Sequence, residues 1–176
     1  DNVGDNVGDI AGMGADLYES YVQSIISAMV IGAALTFATR VEKGLVILPL
    51  ILSAFGIICS LAGMLFVRAS KKGNPQSALN RGVWISSFLM AAGSFFLIGY
   101  VVPNAAGLGI FYAMVSGLFA GLIIGEATEY YTTNTKKPTQ AVAEASLTGG
   151  GTNIIQGLAL GMNSTIIPVL AICAAI

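Results

Sequence analysis

The chain contains five long apolar runs, and most of the charged residues lie in the short stretches between these runs. A helix crosses a membrane with about 20 mostly apolar residues, and each run approaches or exceeds that length. We therefore predict an all-α membrane protein in which residues 1–176 form one transmembrane unit of five helices. Pro168 is expected to bend the last helix. The predicted helices cover about 2–39, 45–67, 83–102, 108–131 and 152–176.

Composition supports this class and removes others. Hydrophobic residues make up 55% of the chain and charged residues 10%, against about 25% charged residues in an average soluble domain. The net charge of −1 gives no reason to expect nucleic acid binding, and the absence of histidine removes the commonest general base. Cys59 and Cys173 lie in separate apolar runs, so we expect them to pack rather than form a disulfide or bind metal.

The basic residues indicate the orientation of the helices. Five crossings place the connections 68–82 and 132–151 on the same side as residue 1, and these connections hold six of the eight basic residues. Because cytoplasmic loops carry an excess of Lys and Arg, we expect the N-terminal end to be cytosolic. The chain also starts at Asp1 inside a motif and ends in an apolar run, so we expect an internal piece of a longer protein.

The N-terminal end carries a doubled Asp-Asn-Val-Gly motif followed by a third aspartate. Asp1, Asp5 and Asp9 are spaced by four, so on an α-helix the three carboxylates share one face. Mg²⁺ prefers carboxylate oxygen and commonly bridges to phosphate, so a metal site is the favoured interpretation. A solvated acidic cap at a helix N-terminus is the alternative, but it does not explain the repeated Asn and Gly.

Two further acidic residues lie deeper in the same helix. Asp16 follows Asp9 by seven residues, roughly 10 Å along an α-helix, and Glu19 comes one turn later, next to Ser20. Ionisable groups within a membrane span indicate a functional site. The alternative is a salt bridge to a base on another helix, and the other four runs offer none.

Two other features give weaker signals. Glu126 and Glu129, near the cytosolic end of the fourth helix, fit bonds to loop residues at least as well as a site. The glycines Gly149 to Gly151 lack the lysine and the strand of a phosphate-binding loop.

The stretch from Asp1 to Tyr21 resembles the signature of the membrane-integral pyrophosphatases. Thr128 to Thr132 and Thr152 to Ile155 resemble later parts of the same family. The resemblance implies a bundle of sixteen transmembrane helices, of which this chain would supply the sixth to the tenth, and a homodimer. It further implies hydrolysis of inorganic pyrophosphate to phosphate, coupled to pumping of H⁺ or Na⁺. Mg²⁺ would be the cofactor, with K⁺ or Na⁺ as further ions, and membrane lipid would surround a multi-pass protein of a prokaryotic inner membrane.

The resemblance also implies residue roles. Asp9 and Asp5 would be catalytic, Asp9 activating the attacking water and Asp5 holding Mg²⁺, with Asp1 supporting the metal shell. The ion gate would consist of Asp16, Glu19 and Ser20. Plant-type potassium-dependent proton pumps carry the gate glutamate one turn later, where this chain has Gln23.

Other functional classes fit the sequence less well. A cation transporter or channel without hydrolysis would use Asp16 and Glu19 but would not need the aspartate cluster. A CDP-alcohol phosphotransferase would need Asp-Gly and Ala-Arg pairs that the chain lacks. A purely structural bundle leaves five acidic residues on one helix unexplained. We expect the isolated chain to be inactive, because the other ligands would come from absent helices.

Overall fold

In the computed structural model, which describes residues 2–39, 44–67, 75–103 and 105–176, the chain is built from helices, and no strand occurs within these ranges. The prediction of an all-α protein is confirmed. The helices are α1 (Asn2–Val7), a π-helical turn (Gly8–Gly12), α2 (Met13–Thr39), α3 (Gly44–Met64), α4 (Pro75–Val101), α5 (Ala105–Thr132), α6 (Lys137–Ser146), α7 (Gly150–Ser164) and α8 (Ile166–Ala175).

Five segments of the described chain are long and apolar enough to cross a membrane, as the sequence predicts. They are Val3–Phe37, Gly44–Met64, Gln76–Val101, Ala106–Ser146 and Gly150–Ala175. The chain divides into two compact units, residues 1–111 and residues 112–176.

In the first unit, α2 packs against α3 through a glycine. A Cβ atom on Gly32 would meet the carbonyl oxygen of Leu45 and lie 3.0 Å from its carbonyl carbon. Pro49, inside α3, has no N–H, so the helix cannot bond the Leu45 carbonyl in the usual i→i+4 pattern. Gly32 therefore lets α2 approach a carbonyl group that α3 leaves without its helical donor.

The contact between α3 and α4 depends on small residues as well. A Cβ on Gly63 would meet the Ser86 hydroxyl and lie 2.8 Å from the carbonyl oxygen of Gly82. Ser86 donates its hydroxyl hydrogen to that same carbonyl at 2.8 Å. The backbones of α3 and α4 are therefore close to each other at this point, as in close membrane helix pairs.

Helix α4 begins at Pro75 rather than near residue 83, where the apolar run starts. Proline is favoured at the first helical position because its missing N–H has no helical partner there. Ala78 and Gly82 are buried, and a Cβ on Gly82 would lie 2.5 Å from the Val67 side chain. Packing therefore extends the helix beyond its apolar run.

In the second unit, a helix replaces part of the connection predicted over 132–151. Helix α6 packs on α7, and its partly buried residues Pro138, Val142 and Ala145 recur at helical spacing. Thr139 donates its hydroxyl hydrogen to the Tyr131 carbonyl at 3.1 Å, which fixes the turn into α6. The prediction missed α6 because its residues are too polar for an apolar run.

The last segment is interrupted as Pro168 predicts. Helix α7 ends at Ser164 and α8 begins at Ile166. Because Pro168 has no N–H, the carbonyl of Ser164 cannot be bonded four residues ahead. The interruption therefore lies one turn before the proline.

Candidate functional site

The N-terminal helical segment carries all but one of the predicted site residues within the described structure. Asp5 lies in α1 and Asp9 in the π-helical turn. Asp16 is in the first turn of α2, and Glu19 and Ser20 follow it. All five are exposed. The sixth, Asp1, lies outside the described residues.

A π-helical turn separates the aspartates from the residues expected to form the gate. Gly8 and Gly12 bound this turn. Its i→i+5 hydrogen bonds place more residues in a turn than the 3.6 of an α-helix. In a regular α-helix, the seven-residue spacing would return Asp16 to nearly the same face as Asp9. The π-helical turn departs from that geometry. Turns of this kind are frequent at functional sites.

The face around the aspartates is open in the described structure. Among the described elements, α1 contacts the π-helical turn, and this turn contacts α1 and α2. Cβ atoms placed on Gly4, Gly8 and Gly12 would have no heavy atom within 4 Å outside their own helix. These glycines leave room for a close helix neighbour, and the described helices do not fill that room.

The carboxylates of Asp5 and Asp9 supply hard oxygen donors of the type Mg²⁺ prefers. Among the residues that the structure describes, no group of three or more metal-ligating side chains is assembled. The oxygen chemistry of Asp5 and Asp9 fits the ligands that Mg²⁺ takes.

At the expected gate, a hydrogen bond joins two side chains one turn apart. The side-chain amide Nε2 of Gln23 donates to the Oε1 atom of Glu19 at 3.1 Å. Ser24 donates its hydroxyl hydrogen to the backbone carbonyl of Ser20 at 2.8 Å. Gln23 is not among the predicted site residues, although Glu and Gln four residues apart on a helix are neighbours.

Helix α3 packs on α2 near the residues expected to form the gate. The Tyr21 hydroxyl donates to the backbone carbonyl of Ser53 at 3.0 Å. Partly buried residues follow at helical spacing on α2, whereas the side chains of Glu19 and Gln23 are exposed. The partly buried residues are Val22, Ile25 and Met29. The acidic residues therefore lie on a face of α2 other than the one packed on α3.

The weaker sequence signals do not form a second site. Gly149 has a φ of 137°, and Gly150 starts α7, so these glycines make a turn into a helix. Glu126 and Glu129 each have an interaction partner. Cys59 and Cys173 are free thiols, one buried and one exposed.

Comparison with known proteins agrees with the sequence signature. The model of the family described as inorganic H+ pyrophosphatase matches residues 1–176. The chain is 47% identical, over 98% of its length, to a Clostridium tetani protein named "Putative K(+)-stimulated pyrophosphate-energized sodium pump". It is 43% identical, over its whole length, to K(+)-insensitive pyrophosphate-energized proton pump 2 of Moorella thermoacetica. Pyrophosphate-energized membrane proton pump 3 of Arabidopsis thaliana is 34% identical over the whole chain.

These matches cover little of the relatives themselves. The chain spans 24% of the Clostridium tetani protein and 26% of the Moorella thermoacetica protein, about a quarter in each case. The match to membrane pumps and the five spanning segments together make this an integral, multi-pass membrane protein. The family expected from the stretch between Asp1 and Tyr21 is confirmed, and the chain belongs to the inorganic H+ pyrophosphatase family.

Proposed function

We propose that this chain is the part of a pyrophosphate-driven ion pump that carries aspartates of the hydrolytic centre and the ion gate on one helical segment. The observation that carries the proposal is the placement of five acidic or hydroxyl side chains along one candidate membrane span, Val3–Phe37, on residues exposed in the described structure. Ionisable groups in a membrane span mark ion pathways. The relatives named as pyrophosphate-energized pumps support the same reading.

In this proposal Asp5 and Asp9 belong to the hydrolytic centre. Asp5 would hold Mg²⁺, with Asp1 supporting the same shell, and the bound ion would neutralise phosphate charge. A carboxylate oxygen of Asp9 orients a water molecule and takes its proton as the water oxygen bonds to phosphorus. The bond from that phosphorus to the bridging oxygen breaks, and two phosphate ions result without a covalent intermediate on the protein.

Asp16, Glu19 and Ser20 form the gate for the pumped ion. The relatives' names divide between sodium and proton pumps, and we propose H⁺ or Na⁺ as cargo accordingly. The names also divide between K(+)-stimulated and K(+)-insensitive proteins. The dependence of hydrolysis on K⁺ should therefore be measured together with its dependence on Na⁺. We further propose that the full chain works as a homodimer.

The test uses the complete parent chain in sealed membrane vesicles. We expect Mg²⁺-dependent release of phosphate from pyrophosphate, measured with and without Na⁺ and K⁺. A requirement for Na⁺ would identify a sodium pump, whereas hydrolysis indifferent to Na⁺ with acidification of the lumen would identify a proton pump.

A matched variant tests the role of Asp9. Asp9→Asn keeps the size of the side chain and removes its ability to take a proton. General-base catalysis contributes about 10²–10⁴-fold to a rate, so hydrolysis should fall by that order. Absence of hydrolysis by the folded wild-type chain under every ion condition would contradict the proposed function.

A further inference from the structure

The side chain of Gln23 makes the hydrogen bond to the Glu19 carboxylate in the described structure. Its Nε2 atom donates to Oε1 at 3.1 Å, across one turn of α2. A bond from an amide to an ionised carboxylate is charge-assisted and stronger than a bond between neutral groups. The bond turns the Oε1 atom of the carboxylate toward Gln23.

The surroundings of Glu19 give this bond particular weight. On α2, Asp16 lies one turn before Glu19 and adds a like charge. Helix α3, the one helix packed on α2 in the described chain, carries no charged residue, and Cys59 is its single titratable group. The Tyr21 hydroxyl already donates its hydrogen to the backbone carbonyl of Ser53. In the described structure, Gln23 is therefore the side chain that donates a hydrogen bond to the Glu19 carboxylate.

We propose that Gln23 is a positioning residue of the ion gate. It fixes Oε1 of Glu19 and leaves Oε2 to meet a monovalent cargo cation. This inference rests on the proposed function, because it assigns a gate role to Glu19. Without the amide donor, Glu19 turns among several rotamers next to Asp16, and the gate takes up its cargo ion less well. Binding of pyrophosphate, at the aspartates, is not affected.

The test replaces Gln23 in the complete parent chain in sealed vesicles. Gln23→Met keeps the length of the side chain and removes the donor, and Gln23→Glu puts a like charge in its place. Ser27→Ala, one turn further along the exposed part of α2, is the matched control. For a sodium pump, we measure the Na⁺ concentration for half-maximal hydrolysis. For a proton pump, we measure lumen acidification per pyrophosphate hydrolysed.

We expect Gln23→Met to raise the half-maximal Na⁺ concentration about ten-fold or more, the effect of losing one hydrogen bond to a charged group, or to lower acidification per pyrophosphate. Gln23→Glu should have a larger effect, whereas Ser27→Ala should match the wild type. The KM for pyrophosphate should stay at the wild-type value in all three, which separates gate positioning from a general loss of structure.

Several outcomes overturn the inference. Gln23→Met could behave as the wild type, could change the KM for pyrophosphate in parallel, or could be matched by Ser27→Ala. In these cases the wild type still pumps, so the proposed function stands and only the role of Gln23 falls. A wild-type chain that shows no pyrophosphate-driven transport overturns both.

Discussion

At the scale of single residues, Gly32 sets the distance between α2 and α3. The atoms that a Cβ would meet belong to the backbone of Leu45 and Val46, and backbone cannot move aside as a flexible side chain can. Gly32→Ala should therefore force the two helices apart. Overpacking of this kind costs about 1–3 kcal/mol, so the variant should unfold at a lower temperature than the wild type in a thermal melt of the purified complete chain.

Gly99 offers a comparison for this substitution. It lies inside α4, and a Cβ there would have no heavy atom of the described structure within 4 Å outside its own helix. Alanine is favoured over glycine in a helix by about 1 kcal/mol, so Gly99→Ala should leave the melting temperature unchanged or raise it. Equal melting temperatures for Gly32→Ala and the wild type would contradict the packing described for Leu45.

At the scale of elements, the connection between α6 and α7 depends on one backbone conformation. Gly149 has φ 137° and ψ 162°, a region essentially restricted to glycine. Around it, the Thr152 hydroxyl donates to the carbonyl of Ala145 at 3.1 Å, and the Thr148 hydroxyl donates to the same carbonyl at 2.8 Å. Gly149→Ala would strain the turn by about 1–3 kcal/mol and should lower the melting temperature of the complete chain.

The neighbouring glycine is the control for that prediction. Gly150 is the first residue of α7, has no positive φ, and would leave a Cβ free of contacts in the described structure. Gly150→Ala should therefore be tolerated. Equal destabilisation by the two alanines would mean that the backbone at Gly149 is not the cause.

The elements also show how far the sequence determines the fold. Apolar runs locate the membrane segments because the bilayer requires a fixed length of apolar helix. They do not locate the first turns of α4, where Ala78 and Gly82 are helical because they pack on neighbours, or the whole of α6. Propensity and hydropathy describe one segment at a time, whereas these residues depend on contacts with another helix.

The candidate site also has features that the sequence predicts and features that it does not. The spacing of Asp5, Asp9, Asp16 and Glu19 places them on one helical segment, which the structure has. The π-helical turn at Gly8–Gly12 could not be predicted, because glycine permits several backbone conformations and the pattern does not choose among them. The i,i+4 rule predicts that Gln23 and Glu19 are neighbours on the helix. A polar residue in a membrane span, however, indicates only that it has a partner and does not identify that partner.

At the scale of the whole molecule, each unit leaves large apolar side chains exposed, and α4 in the first unit is an example. Tyr100 is 88% exposed and Phe96 74% exposed, whereas Ile98, on the same helix, is 1% exposed. Large apolar surfaces of this kind mark contact with a membrane or with other protein. The apolar side chains of α4 thus divide between a face packed on its neighbours and a face left for lipid or further helices.

The exposed aspartates of the proposed hydrolytic centre predict the behaviour of the chain alone. Asp5 and Asp9 lie on a segment that contacts no helix beyond its continuation α2 in the described structure, and no group of three metal-ligating side chains is formed there. Mg²⁺ is held by several oxygen ligands in a strict geometry, and pyrophosphate needs cationic groups to offset its charge. The purified 176-residue chain should therefore release no phosphate from pyrophosphate and transport no ion.

The complete parent chain, assayed in the same vesicles, is the positive control, and circular dichroism of the short chain establishes that its helices have formed. Mg²⁺-dependent phosphate release by the short chain that Asp9→Asn abolishes would contradict the prediction. It would mean that the N-terminal helical segment assembles a working centre by itself, against the open face seen around Gly4, Gly8 and Gly12. Absence of release, with activity in the parent chain, would agree with a centre that needs ligands from outside these 176 residues.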